Sequence, residues 1–281
     1  MKKVLVVFNP VSGKKVARDL PALIKRELKS LGYEWTWFNT VKADRQPLEQ
    51  FLDEKFHRVV VVGGDGTVAE VASFIIRNSL KTPLLIIPQG SGNLLARALF
   101  LPLLSVKKAL RFGLKTKAIE FDTLFVNGKY YGLLGAGIGY DTFVMKETSR
   151  SARRRFGIFA YIFVAIKNLL IYRAKPYRVT VDGERHYVLA KSIVVFNMLP
   201  LLDWKVTNLL ADRVLPNDGK LNVYVLDSKM RLKSYCGKEV VIKSKKARRF
   251  EIDGDVFKGT TMSVKVLPKA IKIVSAKTFK K

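Results

Sequence analysis

The chain has 281 residues, of which 48% are hydrophobic, and its 51 Lys and Arg against 23 Asp and Glu give a formal net charge of +28. This apolar fraction excludes a disordered polycation, and the length is enough for one large domain or two modest ones. The single cysteine, Cys236, excludes a disulfide framework, and the two histidines, His57 and His186, leave little room for a zinc site. The charge alone fits nucleic acid, an anionic membrane or phosphorylated small molecules as partners.

The N-terminus resembles the start of a signal peptide, because Lys2 and Lys3 precede an apolar run over Val4–Phe8. The run is too short for a signal peptide, however, and it ends at Asn9-Pro10 without a small-residue cleavage site. We therefore predict a first β-strand here and a cytoplasmic protein.

Strand and helix patterns alternate over the first 100 residues. Short β-branched runs predict strands, and apolar residues at helical spacing predict the helices between them. The predicted strands are Val4–Phe8, Tyr33–Phe38, Arg58–Val62 and Leu84–Ile87, and the predicted helices are Lys14–Leu31, Leu48–Phe56, Val68–Asn78 and Asn93–Phe100. Such alternation predicts a doubly wound, parallel α/β domain.

After about residue 119 the pattern changes to short strands separated by turns such as Asn127-Gly128 and Asp182-Gly183, which is typical of antiparallel β structure. One apolar helix, predicted over Phe156–Tyr172, interrupts this half; it is read as a buried core helix, with a lipid-facing surface as the alternative. The predicted strands are Thr123–Asn127, Lys129–Leu134, Tyr177–Val181, His186–Phe196, Leu221–Val225, Val240–Lys243, Arg248–Ile252, Thr261–Val266 and Ala270–Val274. The sequence thus predicts an α/β domain followed by a mostly β domain.

A glycine-rich turn, Gly63-Gly64-Asp65-Gly66-Thr67, follows the predicted strand that ends at Val62. Glycines let a backbone approach a polyphosphate closely, and free amides at the start of the next helix favour negative charge. A carboxylate at this place makes sense mainly as a partner of Mg²⁺, so Asp65 is a candidate metal or catalytic residue. The alternative is a tight turn without a ligand, and the spacing of Thr67 and Glu70 also matches a capping box.

Two more glycine-bearing turns follow predicted strands, over Asn9–Gly13 and Pro88–Asn93. Because the carboxyl ends of parallel strands meet at one edge of a sheet, the three turns are expected to lie together where open α/β folds bind ligands.

Two familiar nucleotide-binding patterns fail. Gly13-Lys14 has Phe8 where a P-loop needs its first glycine. The run Gly135–Gly139 has Tyr140 where the dinucleotide fingerprint needs a glycine, so it is interpreted as close backbone packing.

Acidic residues are scarce in the second half, where Asp218-Gly219 and Asp253-Gly254-Asp255 are prominent. Asp-Gly is typical of hairpin turns, and from chemistry alone that interpretation is at least as good as a functional one. A kinase, however, needs a carboxylate that accepts the proton of its acceptor hydroxyl.

Taken together, these motifs resemble the diacylglycerol kinase catalytic family, which includes bacterial lipid kinases and sphingosine kinases. The resemblance covers essentially the whole chain, and the motifs occur in the order and spacing of the family. They are Asn9-Pro10-x-Ser12-Gly13, Gly63-Gly64-Asp65-Gly66-Thr67-x-x-Glu70, Pro88-x-Gly90-Ser91-Gly92-Asn93-x-x-Ala96-Arg97, Gly137-x-Gly139-Tyr140-Asp141, Asp218-Gly219-x-Leu221 and Asp253-Gly254-Asp255.

The resemblance implies an ATP-dependent and Mg²⁺-dependent phosphorylation of a lipid hydroxyl. It implies that Asp65 is essential for catalysis or metal binding, that Asp255 is the general base, and that Asp218 with the carbonyls of Leu215 and Lys220 holds a structural Mg²⁺. The residues implied to contact ATP are Asn9, Pro10, Val11, Ser12, Gly13, Thr40, Gly64, Asp65, Gly66, Thr67, Glu70 and Ser91.

The family fold implies an N-terminal domain like that of NAD kinase and phosphofructokinase, over residues 1–119 and a returning segment at about 265–281. Residues 120–264 would form an antiparallel β-sandwich that receives the lipid. The chain departs from the family at Asp255, usually Glu, at Ala69, usually Asn, and at Leu94, which replaces the Asp of the commonest form. It is also apolar over Met198–Trp204, where many relatives are rich in glycine.

Three functions stay open at this stage. The first is a lipid kinase held on an anionic membrane surface by its basic charge, with a homodimer left open. The second is a soluble kinase, for example of NAD, and the third is a non-catalytic binder of membrane or nucleic acid. Nucleic acid is not expected, because the basic clusters lack the interleaved aromatic residues that stack on bases.

Overall fold

The structure is a computed structural model that describes residues 2–12, 19–40, 47–52, 54–140, 172–199 and 215–279. The chain forms two compact units, one of Met1–Phe121 with Ala270–Lys280 and the other of Asp122–Lys269. Residue Gly13, most of the predicted helix Phe156–Tyr172 and residues 200–204 lie outside the described residues. Within the described ranges, no helix has the length and apolarity needed to cross a membrane.

The first unit contains a parallel sheet with the strand order β2-β1-β3-β4. The end of the last strand of the chain, β13 (Asp255–Val274), adds to this sheet, where Ile273 pairs in parallel with Leu84. Its elements are β1 (Lys2–Phe8), α1 (Leu20–Ser30), β2 (Tyr33–Asn39), a 3₁₀ turn (Leu48–Phe51), β3 (Arg58–Gly63), α2 (Asp65–Arg77), β4 (Leu84–Pro88), α3 (Leu94–Ala98) and α4 (Val106–Lys115).

Apolar runs explain which strands lie at the centre of this sheet. Every residue of β3 and β4 is buried, as expected of parallel strands that are covered on both faces, whereas β2 is mostly half-buried. Helix α1 contributes Ile24 and Leu28, both with no exposed surface, to the core. The central strands are therefore rigid supports for the turns that follow them.

The second unit is built from antiparallel strands in the order β11-β10-β9-β7-β12-β13, with β8 paired to both β9 and β12. Its core is a single cluster of buried, mainly β-branched side chains from these strands. The strands are β5 (Ala118–Val126), β6 (Tyr130–Gly132), β7 (Gly135–Gly139), β8 (Lys175–Val181), β9 (Glu184–Phe196), β10 (Leu221–Asp227), β11 (Leu232–Gly237), β12 (Glu239–Ile252) and β13 (Asp255–Val274).

Several predicted elements differ from the structure. The segment predicted as a helix over Leu48–Phe56 is a 3₁₀ turn that ends at Phe51, and helix α4 was not predicted. Helix α4 had a readable signal, since the Ser105 hydroxyl accepts the N–H of Lys108 (3.3 Å) as an N-cap.

The glycine run Gly135–Gly139 is a strand, β7, between β9 and β12. Added Cβ atoms would lie 2.7 Å from the Phe196 ring at Gly135 and 2.5 Å from the Lys191 carbonyl at Gly139, so the predicted close backbone packing is present. Strand β11 was also missed. Two predicted strands merge into β12 across a register shift between Lys243 and Arg248, and two others merge into β13.

Candidate active site

The turn after β3 leads into helix α2, whose N-terminus has no side-chain cap. Gly64 is the N-cap in an extended conformation, and the helix starts at Asp65. Thr67 therefore lies inside the first turn of α2, so the capping-box interpretation of Thr67 and Glu70 is wrong. The buried Thr67 hydroxyl instead accepts a 2.8 Å hydrogen bond from Asn9 Nδ2. Asn9 thereby ties the turn after β1 to the start of α2.

The turn after β4 is closed by the side chain of Asn93, whose backbone is left-handed (φ +50°). Asn93 Oδ1 accepts the Gly90 N–H at 2.7 Å, and Asn93 Nδ2 donates to the Gly90 carbonyl at 2.7 Å. Few residues other than Asn and Gly adopt this conformation readily, which explains why the sequence places an asparagine here.

These two turns touch through backbone atoms. A Cβ added to Gly90 would lie 2.7 Å from the Gly64 Cα, and one added to Gly64 would lie 3.0 Å from the Gly90 Cα. The Gln89 N–H also donates to the Gly63 carbonyl at 2.8 Å. Only glycines permit this approach, so the turns form one continuous backbone surface at the carboxyl edge of the sheet.

Asp65 lies at the junction of the two turns. Its Oδ1 accepts the Leu95 N–H at 3.4 Å, and its Oδ2 lies 3.0 Å from where a Cβ on Gly92 would be. Burial raises the pKa of the Asp65 carboxyl above its usual range, although N–H groups of residues 95, 94 and 93 act to lower it. Within the described ranges, no cationic side chain contributes to this shift, and a half-buried carboxylate of this kind suits the binding of a cation.

The structure brings most of the other predicted nucleotide contacts to the same sheet edge. Ser12 Oγ lies 3.1 Å from where a Cβ on Gly64 would be, and Val11, preceded by Pro10, is exposed with its N–H donated to Asn9 Oδ1 (3.1 Å). The Thr40 N–H donates to the Phe8 carbonyl at 3.0 Å, and the buried Thr40 hydroxyl has no hydrogen-bond partner in the described part of the chain.

Three further predicted contacts are less enclosed. Gly66 and Glu70 are exposed on α2, and Ser91 is exposed on the turn that Asn93 closes.

Among the described residues, no group of three or more His, Cys, Asp and Glu side chains is placed to hold a metal on its own. A divalent cation here would need oxygen ligands from its substrate as well as from the protein.

In the second unit, the Asp253-Gly254 pair is a hairpin turn between β12 and β13, with positive φ at both residues. The Asp253 carboxylate accepts the N–H groups of Leu133 (2.6 Å), Leu134 (2.9 Å) and Gly135 (3.0 Å), so it holds the start of β7 in place. Asp255 is the first residue of β13 and is exposed. The two aspartates therefore have different surroundings, one structural and one open to solvent.

The loop that precedes β10 contains Asp218, whose Oδ1 accepts the Lys220 N–H at 3.0 Å. The loop is anchored by Asp122, a fully buried residue that sequence reasoning missed. Asp122 accepts the Gly219 N–H (2.6 Å) and the Lys269 N–H (2.7 Å), one on each carboxylate oxygen. The signal that could have found it is a carboxylate that directly follows Phe121 and lies just before the apolar run Leu124–Val126.

Comparison with known proteins gives two domain-family matches. Residues 3–126 match the model described as "Diacylglycerol kinase catalytic domain". Residues 135–235 match the model described as "YegS C-terminal NAD kinase beta sandwich-like domain".

Similar curated proteins include a diacylglycerol kinase of Staphylococcus carnosus, 29% identical over 185 residues, which are 65% of this chain and 60% of that protein. A diacylglycerol kinase of Staphylococcus aureus is 33% identical over 187 residues, covering 65% of this chain and 58% of that protein. The matched part thus spans about three fifths of the length of these relatives.

A solved structure described as a diacylglycerol kinase from Bacillus anthracis superposes with a TM-score of 0.74, at 17% identity, over 99% of this chain and 98% of that one. At this identity the superposition establishes a shared fold. The two domain matches and the staphylococcal relatives lead to one assignment: residues 3–126 belong to the diacylglycerol kinase catalytic domain family, and residues 135–235 match the YegS C-terminal domain family.

Proposed function

We propose that the protein is an ATP-dependent lipid kinase, which transfers the γ-phosphate to a hydroxyl of diacylglycerol or a sphingoid-type lipid. The observation that carries the proposal is the contact of Gly64 with Gly90, which presents a side-chain-free surface beside the Asp65 carboxylate. The names of the staphylococcal relatives support a lipid as the acceptor.

The turns suit the triphosphate of ATP. Amides at the start of α2 and the helix dipole favour negative charge, and a Cβ on Gly66 would meet no atom within 4 Å, so the space next to it is open. The buried hydroxyl of Thr40, which has no partner within the described ranges, is the kind of group that a bound ligand satisfies. The parallel strand order supports a nucleotide domain of the doubly wound, NAD kinase-like type.

Asp65 is the residue proposed to hold Mg²⁺ together with the phosphates. Bound there, Mg²⁺ would neutralise the negative charge that develops on the phosphoryl oxygens during transfer. Asp65 must be ionised for this role, which its raised pKa opposes, so the bound cation and the ionised carboxylate stabilise one another.

Asp255 is proposed to accept the proton of the lipid hydroxyl. As the proton leaves, the hydroxyl oxygen bonds to the γ-phosphorus of ATP, and the bond between that phosphorus and the ADP oxygen breaks. Its exposed place at the start of β13, held by the turn that Asp253 fixes, supports access to a substrate. The net charge of +28 supports a cytoplasmic protein that works peripherally on an anionic membrane.

To test the proposal, the purified chain is incubated with Mg²⁺, γ-phosphate-labelled ATP and each member of a panel of lipids. Mass spectrometry then identifies which lipid carries the label. Labelled phospholipid from one class of acceptor is the expected result. Label on NAD in a parallel reaction would favour a soluble kinase, and no labelled product with folded protein would overturn the proposal.

Two glycine variants separate the architecture of the turns from ligand binding. Gly90→Ala is expected to lower the free energy of unfolding by about 1–3 kcal/mol, because its Cβ would collide with the Gly64 backbone. Gly66→Ala is expected to leave stability unchanged or higher but to lower kcat/KM for ATP about tenfold, because its Cβ occupies the open space that the phosphates need. Urea unfolding and steady-state kinetics measure both, and full activity of Gly66→Ala would contradict phosphate binding at this turn.

Substitutions at Asp255 test the general base. Asp255→Asn is expected to lower kcat by about 10²–10⁴ without loss of stability, because the residue is exposed. Asp255→Glu, which restores the usual family residue, is expected to retain activity. Asp253→Asn is the contrast, since it should weaken the fold by removing an acceptor of three N–H groups. Equal kcat in Asp255→Asn and the wild type would exclude the role.

A structural Mg²⁺ at the Asp218 loop predicts metal-dependent stability without nucleotide. We expect Mg²⁺ at ten times its Kd to raise the free energy of unfolding by about 1.4 kcal/mol in the wild type. Asp218→Asn should abolish this rise, whereas Asp65→Asn should keep it. Thermal unfolding with and without chelator gives the answer, and an unchanged rise in Asp218→Asn would place the metal elsewhere.

A further inference from the structure

Of the eight exposed large apolar side chains among the described residues, four lie on one part of the second unit. Tyr187 and Leu189 on β9 are 78% and 51% exposed, and Met230 and Leu232 in the β10–β11 hairpin are 40% and 52% exposed. We call these four residues the β9–β11 patch. Apolar side chains that cluster on a surface, unlike scattered ones, mark an interaction site.

The backbone joins the members of the patch. The Ser228 N–H donates to the Leu189 carbonyl at 2.9 Å, which ties the β10–β11 hairpin to β9. Leu232 pairs with Leu226 across the hairpin. Along β9, Tyr187 and Leu189 alternate with residues that face the core, such as Ala190. The patch is thus a continuous region of β9, β10 and β11.

The hairpin is held in shape by a single carboxylate. Asp227 Oδ1 accepts the N–H groups of Lys229 (2.8 Å) and Arg231 (2.9 Å), and Asp227 Oδ2 accepts from Arg231 Nε (2.8 Å). The hydrogen bond from the Arg231 backbone is the main cause that lowers the pKa of Asp227, so the carboxylate is ionised at neutral pH. Met230, with φ +63°, is therefore presented on a fixed turn rather than on a flexible loop.

Cations alternate with the apolar residues of the patch. Lys229, Arg231 and Lys233 flank Met230 and Leu232 in the hairpin, and all three are exposed. On the β8–β9 side, Arg178 pairs in register with Tyr187. Two of the described acids lie nearby, Asp227, which pairs with Arg231, and Glu184, whose side chain is 78% exposed, so the four cations outnumber them. The local surface is therefore both apolar and positive.

This combination distinguishes among partners. Lysines are depleted at the cores of protein–protein interfaces, and nucleic acids do not require exposed aliphatic side chains. An anionic bilayer accommodates both features, because apolar and tyrosine side chains enter the headgroup region while Lys and Arg contact the lipid phosphates.

We propose that the β9–β11 patch is the surface by which the protein docks on an anionic lipid bilayer. Tyr187, Leu189, Met230 and Leu232 enter the interface, and the hairpin cations contact the headgroups. The inference deepens the proposed function, since it gives a lipid kinase the face that it turns to its substrate, and it rests on that function for its biological sense.

Vesicle sedimentation without ATP tests the docking, with vesicles of phosphatidylglycerol and phosphatidylcholine compared with phosphatidylcholine alone. The wild type should bind the anionic vesicles, and the variant with Tyr187→Ser, Leu189→Ser, Met230→Ser and Leu232→Ser should bind them at least about tenfold more weakly. Leu104→Ser is the matched control, because Leu104 is fully exposed on the first unit. Equal binding by the fourfold variant, or an equal loss in Leu104→Ser, would overturn the proposal.

A fluorescent probe gives a second readout that does not depend on affinity. In a Cys236→Ser background, which removes the only cysteine, an environment-sensitive fluorophore is attached at Leu232→Cys or at Leu104→Cys. Anionic vesicles should shift the emission of the first probe to the blue and leave the second unchanged. The opposite pattern would mean that another face meets the bilayer and would overturn the proposal. Sedimentation velocity tests a second alternative: loss of a dimer in the fourfold variant would mean that the patch binds a second copy of the chain instead.

Activity separates this inference from the proposed function. With a short-chain, water-soluble diacylglycerol, the fourfold variant should be as active as the wild type, whereas with vesicle substrate it should be at least about tenfold slower. A wild type without kinase activity that still binds vesicles through the patch would overturn the function and keep the docking surface. An active wild type whose vesicle binding ignores the patch would do the reverse.

Discussion

Asp65→Asn is expected to lower phosphate transfer to lipid at least about a hundredfold while leaving the fold as stable as the wild type or more stable. The loss follows from the role of the carboxylate, since a neutral amide cannot replace its charge opposite Mg²⁺. The gain follows from burial, which raises the pKa of Asp65 and so makes the ionised form costly in the folded state.

The pH dependence has a definite sign. Because the pKa of Asp65 is raised in the folded state, the folded state binds the Asp65 proton more tightly than the unfolded state does. The ionised carboxyl therefore lowers the free energy of unfolding at pH values above this raised pKa. The loss becomes smaller as the pH falls through that pKa. The difference in unfolding free energy between Asp65→Asn and the wild type should therefore be largest at neutral pH and shrink on acidification.

Urea unfolding and initial rates at several pH values check both parts. Asp19→Asn is a suitable control, because Asp19 is exposed at the start of α1 and makes no side-chain cap bond, so neither activity nor stability should change. Activity of Asp65→Asn within a few-fold of the wild type would remove Asp65 from the mechanism. A marked loss of stability would instead mean that its hydrogen bond to Leu95 outweighs the cost of burial.

The glycine turns at the sheet edge could be predicted from the sequence because their signal is local. Four consecutive valines before Gly63 specify a buried strand, and the glycines that follow specify a backbone without side chains. Parallel strands then bring their carboxyl ends together whatever the details of the helices. The sequence thus predicts that the turns of Gly64 and Gly90, 26 positions apart in the chain, lie near one another. It does not predict that their backbones are in contact.

The parts that sequence reasoning missed depend on long-range partners. Strand β7 is a glycine run that would read as a loop in isolation, and only its two neighbours, β9 and β12, make it a strand. Similarly, Asp253 lies in the predicted hairpin turn, but its three N–H donors come from residues nearly 120 positions earlier in the chain. No local pattern carries such information.

Asp122 is the strongest case of a residue whose importance lies in distant contacts. Besides accepting from Gly219 and Lys269, it donates its own N–H to the Pro216 carbonyl at 2.7 Å, and its carbonyl accepts from the buried Asn197 Nδ2 at 2.7 Å. It therefore fixes the loop that carries Asp218 to β5 and to the later part of β13, all within the second unit.

Asp122→Asn is expected to lower the free energy of unfolding by about 2–4 kcal/mol, because Asp122 has no exposed surface and the amide keeps one acceptor oxygen while its NH₂ group turns towards the N–H of Gly219 or Lys269. Asp182→Asn is the matched control, since Asp182 also accepts two backbone N–H groups, from Lys238 and Glu239, but is exposed, so water can replace the lost acceptor and the loss should be much smaller. Urea unfolding measures both variants, and equal losses would show that burial of Asp122 does not matter. The hydrogen bond from Gly219 to Asp122 also orients the loop that carries Asp218. The stabilisation by Mg²⁺ that depends on Asp218 should therefore disappear in Asp122→Asn and persist in Asp182→Asn. This comparison separates loss of the loop geometry from a general weakening of the unit.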